Sequence, residues 1–161
     1  MNITNIENEI INILGNTGIE VKGYPDVPEN YTVVSDSAIL VKYDGSTYSD
    51  PQSTGVVTQE RTIKFNIMLF FKVSKNSKYQ TVYDLVEDVR QLLLGYEPAQ
   101  CSKLYMISDE LVDYTQKMWV YSITVATKTV VFEGVKDEVL TKKITTVDNN
   151  GNVETEVESE S

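Results

Sequence analysis

The stretch RTIKFNIMLFFKV, residues Arg61 to Val73, decides the fold. Ile63, Phe65, Ile67, Leu69, Phe71 and Val73 recur at every second position, so in an extended chain they all point to one face. The other face opens polar with Lys64 and Asn66, but Met68 and Phe70 follow before Lys72 restores the charge. The segment is a strand whose far end is apolar on both sides. Its second side needs a cover, either a helix of this chain or the surface of another subunit.

Upstream, SAILVKY reads as a partner strand with Ile39, Val41 and Tyr43 on one face. Between the two lies DGSTYSDPQSTG, polar and rich in turn formers, which makes the pair a hairpin with a long loop. Tyr48 is the one aromatic residue of that loop. Such a loop is either a contact surface or a flexible tip. Nearer the N-terminus, Thr4 and Glu7 have capping-box spacing, Ile3, Ile6, Ile10 and Ile13 recur at helical spacing, and Gly15 follows as a stop. A helix over 5–14 is expected, then a short strand near 19–22 and an irregular passage with two prolines.

Downstream, Ser77 and Gln80 form a second capping box before Val82, Leu85, Val86, Val89, Leu92 and Leu93, and Gly95 and Pro98 close that helix. Strands are expected over 104–111 and 118–132; in the second, Trp119, Tyr121, Ile123 and Val125 share a face opposite Ser122, Thr124 and Ala126. This order gives an α+β domain over 1–132, a mainly antiparallel sheet with two amphipathic helices packed on one face.

Residues 133–161 contain no aromatic residue and form an acidic C-terminal extension. Asn150-Gly151 is a preferred two-residue hairpin turn; placed there, it pairs Ile144 with Val157 and Lys143 with Glu158. The extension is either this hairpin arm or a disordered acidic tail.

Twenty-four acidic against fourteen basic residues give a net charge of −10, which disfavours broad contact with nucleic acid or an anionic membrane and points to protein partners. The chain has no histidine and a single cysteine, Cys101, which excludes Ser-His and Cys-His catalysis, an internal disulfide and the usual zinc ligand sets. No phosphate-binding glycine loop occurs. Asp84, Glu87 and Asp88 read as the solvated side of the second helix, and Cys101 as a half-buried loop thiol. No cofactor, metal or enzymatic activity is expected. The N-terminus lacks a charged leader and no apolar run reaches membrane length, so synthesis in the cytosol is expected. Ten tyrosines against four phenylalanines suit an interface that is wet before assembly, or equally a tyrosine-rich core edge.

Laid end to end, the N-terminal helix, AILVKYDGSTYSDP, VTQERTIKFNIMLFFKV, VYDLVEDVRQLLLGYEP and KMWVYSITVATKTVVF resemble the tail terminator family of long-tailed phages, in particular the contractile-tail proteins of Mu-like prophages. The likeness covers residues 1–132, and VKYDGSTY and LLLGYEP are its most specific parts. It implies a structural protein of an assembled phage tail or headless phage-tail-like bacteriocin, made in the bacterial cytoplasm. Such proteins form a hexameric ring, a cap or collar on the last tube ring. The ring stops polymerisation, finishes the sheath and presents a surface to the neck or head-completion proteins. Implied partners are copies of the chain itself, the tube protein and the sheath protein. On this reading Tyr43, Tyr48, Met68 and Phe70 meet a neighbouring subunit or the tube, and Ile144, Val147, Val153 and Val157 belong to a sheath-contacting arm. A competing reading is a small acidic adaptor or immunity-type module that masks a basic partner, and oligomeric state separates the two. A hydrolase working with carboxylates alone is a third, for which no spacing argues.

Overall fold

The computed structural model describes residues 2–24, 37–52, 56–72, 79–114, 118–133, 142–147 and 153–158, with backbone alone for 79–81, 114, 142–147 and 153–158. The chain divides into two compact units, Met1–Val131 and Phe132–Ser161. In the first, helix α1 (Ile3–Leu14) and a short 3₁₀ turn (Gly15–Thr17) precede strands β1 (Glu20–Gly23), β2 (Ser37–Tyr48) and β3 (Thr58–Lys72). Helix α2 (Tyr79–Leu93) and strands β4 (Tyr105–Tyr114) and β5 (Met118–Phe132) follow.

The five strands form one sheet in the order β1-β2-β3-β5-β4. β2 pairs antiparallel with β3, and β4 with β5, while β1 joins β2 in parallel. Asn66 Nδ2 donates to Ser122 Oγ and Lys128 Nζ to Glu60 Oε1, so numbers fall along β3 as they rise along β5, and these neighbours are antiparallel as well. The fold is α+β, with a mainly antiparallel sheet.

Alternation along β3 builds the core. Ile63, Phe65, Ile67 and Leu69 are all fully buried. They pack with Ile39 and Val41 of β2 and Tyr121, Ile123 and Val125 of β5. Ile6, Ile10 and Leu14 of α1 and Val82, Leu85, Val89 and Leu93 of α2 belong to the same cluster, so both helices cover this one face. Each fully buried aliphatic or aromatic side chain contributes roughly 1.5–3 kcal/mol, so this layer supplies most of the drive to fold.

The helix ends differ from expectation. Asn2 caps α1, its Oδ1 accepting from the Thr4 backbone N–H at 2.9 Å, and the helix starts earlier than a Thr4 box would allow. Glu7, the other half of that box, instead lies against Gly23 of β1, where burial raises its pKa. Asparagine is at least as good a cap as threonine, so the earlier start has no cost. Gly15 keeps a right-handed φ of −55° and the chain runs on into the 3₁₀ turn; the left-handed stop is Gly18, at φ 72°. Gly95, at φ 84°, follows α2 in the manner expected. Ser77 of the second box lies outside the described residues.

β2 is longer than its composition suggests. It continues through DGSTY to Tyr48, with a register shift between Tyr43 and Ser46 and Gly45 at φ 100°. A glycine in the left-handed region absorbs the extra residue of a bulge, after which Thr47 faces Thr62 and Tyr48 faces Arg61. The long loop expected over 44–55 is therefore strand in its first part.

Tyr121 reports on the α2 contact. Its ring meets that of Tyr83 edge to face, with centroids 6.2 Å apart. Burial, followed by the hydroxyl contact with Tyr83, pushes its pKa up to about 12. Since neutral Tyr121 is the form the fold favours, its contribution is complete below the unfolded value of about 10 and is lost as pH rises through about 12. Stability measured by urea unfolding should fall across that window, and Tyr121→Phe should flatten the fall. An unchanged slope in the variant would remove Tyr121 as its source.

In the second unit, strands β6 (Lys142–Val147) and β7 (Val153–Glu158) form a two-stranded antiparallel sheet. Its register is one residue from that expected: Ile144 faces Glu156 and Lys143 faces Val157, rather than Ile144 facing Val157 and Lys143 facing Glu158. The innermost pair is Val147 with Val153, which leaves residues 148–152 between the strands where a two-residue turn was expected. One step of register exchanges the two faces of a strand. Val147, Val153 and Val157 consequently fall on one face by register, and Ile144 on the other with Glu154, Glu156 and Glu158.

Candidate functional site

The bulge at Gly45 brings together residues that are well separated in sequence. Past it, Ser46 faces Ile63 and Tyr48 faces Arg61, so Tyr43, Ser46, Tyr48 and Arg61 share the helix side of the sheet. Arg61 Nε donates to Ser46 Oγ at 2.9 Å and Nη2 donates to the Tyr43 hydroxyl at 3.2 Å. The Tyr43 and Ser46 hydroxyls are 2.9 Å apart. The guanidinium lies 5.6 Å from the centroid of the Tyr48 ring, a cation–π arrangement, and Tyr43 meets Phe65 edge to face at 5.9 Å. The hydrogen bond with Ser46, helped by Arg61 and opposed by burial, holds the Tyr43 hydroxyl below its usual pKa.

Tyr43 is thus a core-edge residue, whereas Tyr48 is 54% exposed. Ser49 stiffens the hairpin beyond it: its N–H donates to the Glu60 carbonyl at 2.9 Å, and its Oγ accepts from the Glu60 N–H at 3.0 Å. The cluster offers a permanent cation and an aromatic face on a well-bonded strand end, equipment for recognition. Sequence reasoning missed Arg61, although it is in phase with Ile63 and Phe65.

Met68 and Phe70 lie on the opposite face of the sheet, so the sequence-predicted interface residues divide between two surfaces. Met68 faces Leu40 and Phe70 faces Ala38 across the β2–β3 ladder, and both are half-buried. Because α1 and α2 pack on the other face, neither residue sits beneath helix two, one of the two covers that the sequence left open. Around them Asn66 donates to Ser122 at 2.6 Å, Lys42 stands 5.3 Å from the Tyr24 ring centroid, and Lys64 is half-buried.

The outer strand β4 is the third surface. Ile107, Leu111 and Val112 are 47%, 47% and 54% exposed, and Asp109 and Glu110 between them are exposed too. Cys101, nearby in sequence, is half-buried, and burial pushes its thiol pKa up, away from the reactive thiolate. Among the described residues no group of three or more His, Cys, Asp or Glu side chains could hold a metal ion. Of the arm residues, Val147, Val153 and Val157 share a face of the C-terminal sheet and Ile144 does not.

A model of the family described as "Gp37 protein" matches residues 15–150. No curated protein matches the chain. Among solved structures, a chain from "Virion of native gene transfer agent (GTA) particle" has a TM-score of 0.55 at 10% identity, with 80% of this chain and 95% of that chain covered. That likeness shows a shared fold.

Proposed function

The chain belongs to the Gp37 protein family, and from that premise we propose that it is a non-enzymatic structural subunit of a phage-like particle, acting as its tail terminator. The observation that carries this reading is the fold shared with a virion chain along 95% of that chain's length. The resemblance of VKYDGSTY and LLLGYEP to tail terminators narrows it. In this role six copies close into a ring on the last ring of a contractile tail tube. A heterologous interface that closes on itself stops growth where an open one would continue it. The ring meets tube protein on one side and neck proteins on the other and finishes the sheath, with the C-terminal hairpin as its attachment element. The net charge of −10 suits contacts with proteins rather than with nucleic acid.

Electron microscopy of the purified protein mixed with tail tubes tests this reading. Rings at tube ends and tubes that no longer elongate are expected. A protein that stays monomeric and leaves tube ends bare would overturn it.

The Tyr48–Arg61 pair is the element of the hairpin end assigned to tube contact. Tyr48→Ala is expected to cost less than about 1 kcal/mol of stability, the size of an exposed cation–π pair, because the ring is already 54% exposed. It should weaken tube capping about tenfold, as loss of an interface aromatic does. Urea unfolding and a tube-elongation assay measure the two effects. A stability loss as large as the capping loss would place Tyr48 in the core instead.

A further inference from the structure

Strand β4 is a sheet edge. Its residues from Ser108 to Leu111 pair regularly with β5, flanked by register shifts on either side. Among the described residues no strand takes the outer edge of this run, and its side chains are exposed throughout. An exposed edge with Leu111 in its regular run, and with Ile107 and Val112 at the register shifts on either side, is a template for another strand. The opposite edge, β1, spans Glu20–Gly23 and carries Lys22, a charge of the same sign as the lysines of β6.

Charge decides which strand fits. β4 carries Asp109, Glu110 and Asp113 and no basic residue, so pairing with a second β4 would set acid against acid. β6, KKITTV, carries Lys142 and Lys143 and no acid, while its partner β7 carries Glu154, Glu156 and Glu158. A two-stranded sheet standing alone is marginal in water and gains from joining a third strand. β6 is the edge of this one that suits an acidic acceptor. A second copy as donor makes the contact one between subunits, as an assembly protein requires.

We propose that the β4 edge is a docking site for the β6–β7 hairpin of a second copy of this chain, with β6 added beside Ser108–Leu111. The inference rests on the reading of the protein as an assembly subunit and specifies one contact between copies. Backbone hydrogen bonds supply the adhesion, and the lysines opposite Asp109 and Glu110 select β6 over β7 and over a second β4.

Charge reversal in the full chain tests it, with native mass spectrometry reading oligomeric state and circular dichroism confirming that each variant is folded. K142E/K143E and D109K/E110K should each weaken self-association about tenfold, and the combined variant should restore it. In the wild-type oligomer the amides of residues 108–111 should exchange more slowly than in either single-sided variant. The proposal fails if neither variant changes association, if the combined variant does not recover, or if the full chain is monomeric at every concentration. It also fails if the amide protection is present in monomers, which would mean that the hairpin folds back on its own β4, or arises only when sheath protein is added. Rings that still cap tubes in K142E/K143E would overturn this contact and leave the terminator reading standing, whereas bare tube ends with every variant and the wild type would overturn that reading itself.

Discussion

Replacing Phe65 with alanine is expected to remove about 3–5 kcal/mol of stability, the range for truncating a buried phenylalanine. Phe65 is fully buried in the middle of β3, next to the central ladder of the sheet. Isoleucines and leucines from the sheet and both helices complete its cluster, and Tyr43 rests against its ring. The cavity left by alanine has rigid strand on one side and helix on the other, so it can collapse only in part. Phe65→Leu, which keeps most of the volume, should cost appreciably less. Urea unfolding with a common slope measures both. A loss below about 1 kcal/mol for the alanine variant would mean that the site relaxes freely, against the close packing of interiors. The Tyr43 ring loses its edge-to-face partner in the alanine variant.

Features set by side-chain periodicity were legible in the sequence. The alternation Ile63, Phe65, Ile67, Leu69 found the central strand, and the spacing of Val82, Leu85, Val89 and Leu93 found α2, because burying one face needs only a repeat in the local chain. The sheet and its single helical layer followed from those. Features set by one backbone choice were not legible. Asn2 and Thr4 are both good caps, and spacing alone does not choose between them; Asn2 takes the role, while Glu7 lies by Gly23, a residue distant in sequence. The bulge at Gly45 is another such choice: DGSTY looks like a turn by composition, yet one glycine at positive φ lets β2 continue and sets Tyr48 over Arg61. With the bulge unseen, the Tyr43–Ser46–Arg61 cluster could not be anticipated, since Arg61 reads from sequence as the polar start of a strand. The C-terminal register went astray for a similar reason. Asn150-Gly151 is the strongest local turn signal there, but the ladder places Val147 against Val153 and leaves five residues, 148–152, between them.

Replacing Met68 and Phe70 together with lysine should leave a folded chain while weakening the ring assembly proposed above about a hundredfold, since an unpaired charge buried at an interface costs several kcal/mol. Their position supports both halves of this expectation. Ala38 and Leu40, opposite them, are buried at 1% and 2% exposure, whereas Met68 and Phe70 are half-buried. The latter two therefore shelter the sheet from outside and are not its deepest layer. A lysine in either place keeps an apolar stem over Leu40 or Ala38 while its amine reaches water, so the stability loss should stay below about 2 kcal/mol. For a neighbouring subunit the same change is severe. By strand register this face already carries Lys42, Lys64 and Lys72, and two further cations would leave a contacting surface facing a cluster of like charge. Urea unfolding and sedimentation read the two effects separately. An unfolded double variant would make these residues core and turn the subunit contact elsewhere, whereas a folded variant that still forms rings would show that this face of the sheet takes no part in assembly.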